Sequence, residues 1–138
     1  MEKKFYKCHR ISEGIAEGEI LISKDDIMFY LVDPLTGVMI EKDHSIEGKC
    51  VAGKILDFPS GKGSSVVQAD GIYQLLAQGK APNGMIIKNP ETVLVASAII
   101  MEIPMVDKVD PAFYKEVRNG DFIRIDADKQ IISILKQK

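Results

Sequence analysis

Lys54-Ile55-Leu56-Asp57-Phe58-Pro59-Ser60-Gly61-Lys62-Gly63-Ser64-Ser65 is the stretch on which the fold turns. Its first five residues form a short apolar run stopped by proline, which predicts a buried strand ending at Phe58. Ser60 to Ser65 is a loop by composition. Val66, Ile72, Leu75 and Leu76 then supply one face of a helix predicted from about Ser65 to Gln78, with Gly79 as its C-terminal stop. Strand, glycine loop and helix in that order form a unit of an α/β protein.

Upstream of this unit, short apolar runs broken by Gly, Asp and Pro predict strands at Phe5–Ile11, Gly18–Ile22, Ile27–Val32 and Val38–Ile40. Asp33-Pro34-Leu35-Thr36-Gly37 is a turn by its residue types. Downstream, Gly84–Lys88 is a further buried strand. Asn89-Pro90-Glu91 then reads as cap, first-position proline and first-turn acid for a helix over Thr92–Met101. Ile103–Val106 is a short strand, and Asp110-Pro111 opens a brief helix that ends at Asn119-Gly120. Phe122–Asp126 and Gln130–Leu135 form a terminal hairpin. No repeat or linker interrupts this order, so residues 1–138 read as one domain.

With 46% hydrophobic and 28% charged residues, the 138-residue chain has the composition of an ordinary globular domain. A net charge of -2 and a pI near 5.7 leave no basic footprint for nucleic acid or an anionic membrane. The polar opening Met1–Lys7 lacks the apolar segment of a secretion signal, and no apolar run reaches the ~18 residues of a membrane span. A cytoplasmic location is expected. Cys8 and Cys50 are too few for a disulfide framework or a cluster site and read as reduced thiols.

The chemistry concentrates in Gly61-Lys62-Gly63-Ser64-Ser65. Glycines let backbone approach a ligand, and the N–H groups at a helix start attract anions. The loop is not a Walker A motif: Leu56 stands where that pattern needs its first glycine, and Gly63 separates the lysine from the serine. Two readings stay open, an anion-binding loop or a turn in which Ser64 or Ser65 caps the helix, Ser65 being the better placed of the two to cap. A serine here gains a third role if the helix end and the Lys62 ammonium favour its alkoxide. His9 and His44 have no spacing that ties them to the loop and read as packing or surface residues, His44 being the better functional candidate. Asp33 and Asp107, beside a turn and a strand end, have the same status.

Val32–Gly37, Val51–Ser65, Gly79-Lys80-Ala81-Pro82 and Ile103–Asp107 together resemble the small subunit of the aconitase X family, in matching order over nearly the whole chain. Phe58-Pro59-Ser60-Gly61-Lys62-Gly63-Ser64-Ser65 is the most specific block. The resemblance implies an α/β fold of the swivelling β/β/α type found in aconitase, with a curved or barrel-like β core. It implies one subunit of a hydro-lyase that dehydrates a β-hydroxy acid, 5-phosphomevalonate or alternatively a cis-3-hydroxyproline. A large partner subunit is then expected to carry a 4Fe-4S cluster and to bind the anionic substrate, while this chain alone binds no cofactor. In that scheme Ser64 is the proton acceptor, and Gly61, Lys62, Gly63 and Ser65 contact substrate. A non-catalytic anion-binding module is the other class of reading. Tyr30-Leu31 departs from the family's more usual paired glycines before Val-Asp-Pro, and Val66–Asp70 departs from its small residues after the serines.

Overall fold

The computed structural model describes residues 4–138; the first three residues of the polar opening lie outside the described residues. Eight strands run in the order β1-β8-β7-β3-β4-β5-β6-β2. The outermost two, β1 (Lys4–Lys7) and β2 (His9–Ser12), are one extended segment interrupted at Cys8, whose N–H still donates to the Gln130 carbonyl at 3.1 Å. The two ends of the order are therefore covalently joined, and the sheet closes on itself. β3 (Ile15–Ile22) is the hinge of this ring. Its first half pairs antiparallel with β7 (Phe122–Asp126), and its second half pairs parallel with β4 (Ile55–Phe58). β4, β5 (Gly84–Ile87) and β6 (Met105–Asp107) are parallel, and β8 (Ile131–Lys136) completes the terminal hairpin with β7.

Alternation along the strands divides the apolar residues between two cores. Ile55, Ile86, Val106, Ile20, Ile123, Ile125, Ile132 and Ile134 belong to one core, which Phe113 of α3 (Pro111–Glu116) joins. Tyr6 meets the Phe113 ring edge-on with 5.4 Å between centroids. Leu56, Phe58, Met85, Ile87 and Met105 belong to the other core, with α1 (Ser65–Ala77) and α2 (Thr92–Ile100). Every residue of β4 and β5 is buried, which is why neither sequence alternates apolar with polar; β5 is apolar throughout and β4 is apolar except at Asp57.

Three expectations need correction. Ile27–Val32 is not a strand: Ile27 makes an isolated bridge to Gly61, and Phe29–Leu31 is a 3-10 turn closed by Leu31 N–H to Met28 O at 2.9 Å. Phe29 and Val32 both join the α1–α2 core, which a regular strand would not allow for residues three apart. Val38–Ile40 likewise makes only isolated bridges, Met39 to Val32 and Val38 to Cys50. The cap of α2 is also two residues later than expected. Glu91 Oε2 accepts from the N–H groups of Val93 and Leu94, both at 3.1 Å, while the Asn89 N–H donates to Pro59 O. Asp110 caps α3 as its sequence predicts, accepting from Ala112 N–H at 3.0 Å. Among the described residues no helix is long and apolar enough to cross a membrane.

Candidate functional site

Pro59 ends β4, and the chain leaves the C-terminal edge of the parallel strands through Ser60–Ser64. Three anchors fix this loop. Ile27 N–H donates to Ser60 O at 2.9 Å and Lys62 N–H returns to Ile27 O at 3.2 Å. The Ser60 hydroxyl donates to Asn89 O at 2.8 Å. Buried Gln68, one turn into α1, donates its amide to Gly63 O at 2.8 Å. The glycines are dictated by this packing. A Cβ on Gly61 would strike the Gln68 amide and sit 2.6 Å from Leu94 Cδ1, and Gly63 takes φ +99°.

Ser64 is the N-cap of α1, with extended φ -68° and ψ 161°, and its Oγ accepts from Val67 N–H at a long 3.4 Å. Ser65 is the first residue inside the helix. Accepting that bond occupies one lone pair of Ser64 and leaves its O–H exposed at the positive end of a 13-residue helix. Gly61, Lys62, Gly63, Ser64 and Ser65 thus sit on one rigid turn. Lys62 is not free there. Its Nζ donates to Glu41 Oε2 at 2.7 Å.

The other candidates fall elsewhere. His44 is buried, with Nε2 donating to Asp26 O at 2.9 Å and Nδ1 accepting from Ile46 N–H at 3.2 Å; both nitrogens are used in packing. His9 Nδ1 and Asp107 Oδ1 meet at 2.6 Å across β2 and β6, a pairing their separation of 98 residues conceals. Asp33 is a turn residue, its Oδ1 accepting from Leu35 N–H at 2.9 Å. Burial pushes the Cys8 thiol up to about 11, which disfavours the thiolate a metal needs, and Cys50 stands apart from it. Among the described residues no group of three or more His, Cys, Asp or Glu could hold a metal, and the two thiols fall short of the three or four that an iron–sulfur cluster takes.

Sequence reasoning passed over Glu41, Gln68 and Asp57. The acid in Ile55-Leu56-Asp57-Phe58 was the available signal for the last. Asp57 is fully buried, and among the described residues neither carboxylate oxygen has a hydrogen-bond partner and the nearest cation, Lys88 Nζ, is 3.9 Å away and also lies over the Tyr114 ring. Burial, partly offset by Lys88, pushes the Asp57 carboxyl up to about 6. The folded chain therefore keeps a proton on Asp57 that the unfolded chain has released between the ordinary carboxylate value and about pH 6. Stability must fall as pH rises through that window, by roughly 2–3 kcal/mol. Urea unfolding from about pH 4.5 to about pH 7.5 should show this slope, and Asp57→Asn should flatten it and raise stability at neutral pH. An unchanged slope in the variant would place its origin in another group.

A surface depression of about 710 Å³ is lined by Arg10, Glu13, Glu102 and Asp128 among others and includes no residue of the serine loop. Gly63, Ser64 and Ser65 of the loop are exposed.

Residues 5–134 match the family model described as the aconitase X swivel domain. A phosphomevalonate dehydratase small subunit of Methanosarcina acetivorans is 43% identical over 133 residues, covering 96% of this chain and 92% of that one. Its counterpart from Thermococcus kodakarensis is 41% identical, covering 94% and 96%. Among solved structures, the holo-form of Thermococcus kodakaraensis aconitase X superposes with a TM-score of 0.86 at 40% identity, covering 96% of this chain and 99% of that one. The solution NMR structure of a UPF0107 protein gives 0.84 at 37% identity, covering 96% and 100%.

Proposed function

Because this chain belongs to the aconitase X swivel-domain family, we propose that it is the small subunit of a cytoplasmic, two-subunit dehydratase acting on (R)-5-phosphomevalonate in the mevalonate pathway. Residues 1–138 form one swivelling unit in this reading. The observation that carries it is the exposed Ser64 hydroxyl at the start of α1, on an anchored glycine loop with a lysine beside it. The relatives named as phosphomevalonate dehydratase small subunits support the substrate and the need for a large partner.

Ser64 Oγ takes a proton from the carbon beside the substrate carboxylate. The electron pair left behind forms the double bond as the hydroxyl on the neighbouring carbon departs as hydroxide; passage of the Ser64 proton to that hydroxide restores the alkoxide, so the products are trans-anhydromevalonate 5-phosphate and water. The helix end and Lys62 favour the alkoxide that starts this transfer and the anion that binds there. A 4Fe-4S cluster, the Lewis acid for the departing hydroxyl, is assigned to the large subunit. Exposed Tyr30, Ile40 and Val66 lie near the loop, at 54%, 58% and 77% relative exposure, and supply apolar surface for that subunit to cover.

Co-expression with the large subunit and an anaerobic dehydration assay tests the proposal. Turnover of 5-phosphomevalonate but not of cis-3-hydroxyproline is expected, and the reverse preference would replace the substrate. The single chain, reconstituted with iron and sulfide, should develop no cluster absorption band and no activity. A band there would contradict the assignment of the cluster to the partner, and anion binding with no effect of the partner would favour a non-catalytic module.

A further inference from the structure

Glu41 has no part in the proton transfer, yet it is built into the site. Its Oε2 holds Lys62 Nζ at 2.7 Å, while Oε1 is buried with no hydrogen-bond partner among the described residues. An unpaired buried carboxylate oxygen costs free energy. An ion pair formed only for surface stability would leave both oxygens in water and contribute little. The Glu41 backbone is held independently of the lysine: its own carbonyl accepts from His44 N–H at 3.3 Å, and the two residues before it are bonded as well. Ile40 N–H donates to Leu31 O at 2.9 Å, and Met39, buried in the core, exchanges bonds with Lys49 O at 3.0 Å and Gly48 N–H at 2.9 Å. Glu41 is thus a fixed anion, and the mobile partner is the four-carbon stem of Lys62. One N–H of the ammonium is committed to Glu41, which leaves two for other acceptors.

We infer that Glu41 is the positioning residue of the loop: it tethers the Lys62 ammonium beside Ser64 so that the two remaining donors meet the substrate anion in one geometry. The inference rests on the reading of this loop as the substrate site.

Three variants of the two-subunit complex test it with 5-phosphomevalonate: Glu41→Gln, Lys62→Met and the double variant. Gln keeps the shape of Glu, and melting temperature and large-subunit binding are measured on the same samples. Glu41→Gln is expected to raise KM about tenfold, the scale of a lost charge-assisted hydrogen bond, with a smaller change in kcat. Lys62→Met should raise KM at least as much and also slow turnover. The double variant should match Lys62→Met alone, because a residue acting through Lys62 has nothing left to act on; losses that multiply would overturn the inference. Acylation of lysines in the full chain, mapped by mass spectrometry, reads the tether without activity: Lys62 should label about threefold faster in Glu41→Gln, relative to exposed Lys49, once its hydrogen bond is gone. Faster labelling with no KM effect of Lys62→Met keeps the tether and removes the substrate reading of the loop. A KM effect of Lys62→Met with unchanged labelling keeps that reading and removes the tether.

Discussion

Ser64→Ala should lower turnover of the two-subunit complex by ~10² or more, the scale of a lost general base, while partner binding and cluster content stay nearly intact. The structure adds a complication. The N-cap is Ser64, whereas residue chemistry alone made Ser65 the better cap, so Ser64→Ala also removes a capping acceptor. At 3.4 Å that bond is weak, and the expected loss is near the lower end of the usual range, about 0.5–1 kcal/mol. Ser64→Gly separates the two roles. Glycine at an N-cap costs only a few tenths of a kcal/mol by comparison with serine, so this variant should lose as much turnover as Ala with a smaller drop in melting temperature. Ser65→Ala should change both quantities little. If Ser64→Ala turns over at nearly the wild-type rate with the large subunit present, the base assignment is wrong. If both serine variants do, the loop is a structural cap and the base lies elsewhere.

Gly71→Ala should destabilise the fold by on the order of 3 kcal/mol, the upper part of the range for overpacking. Helix propensity alone predicts the opposite sign, since alanine inside a helix is better than glycine by about 1 kcal/mol. The added Cβ decides between them. It would lie 2.6 Å from Phe29 C and 2.9 Å from Tyr30 Cα, and nearer still to Tyr30 N, all backbone atoms that cannot rotate away. Either α1 or the Phe29–Leu31 turn must then shift, and because α1 begins at the serine loop, the shift should reach Ser64. Urea unfolding reads the loss. A variant as stable as the wild type would mean that α1 and the turn are less tightly packed than this contact requires.

Parts of this protein were legible because local chemistry decides them. Phe122–Asp126 is a strand with the expected bounds, α1 begins at Ser65, and Asp110-Pro111 caps α3, all set by period, proline or a short side chain reaching its own backbone. The loop Gly61–Ser65 was legible for the same reason, because only a glycine turn between strand and helix writes that pattern. Ile27–Val32 was not legible. Its apolar residues suit a strand, but Phe29 and Val32 are both claimed by the core beneath α1, and the chain coils to deliver them. The cap of α2 moved from Asn89 to Glu91 because the Asn89 backbone is taken by Pro59 and Ser60.

The amino-acid order by itself determined the α/β class, the strand–loop–helix unit and the serine–lysine turn, since each depends on residues within a few positions of one another. Tertiary structure alone decided that the first and last parts of the sheet meet through Cys8 and that His9 finds Asp107. It also decided that Lys62 is held by Glu41 and that Asp57 is sealed inside without a hydrogen-bond partner among the described residues. These depend on contacts between residues far apart in the chain, and charge, burial and distance at such contacts exist only once the sheet has closed and packed.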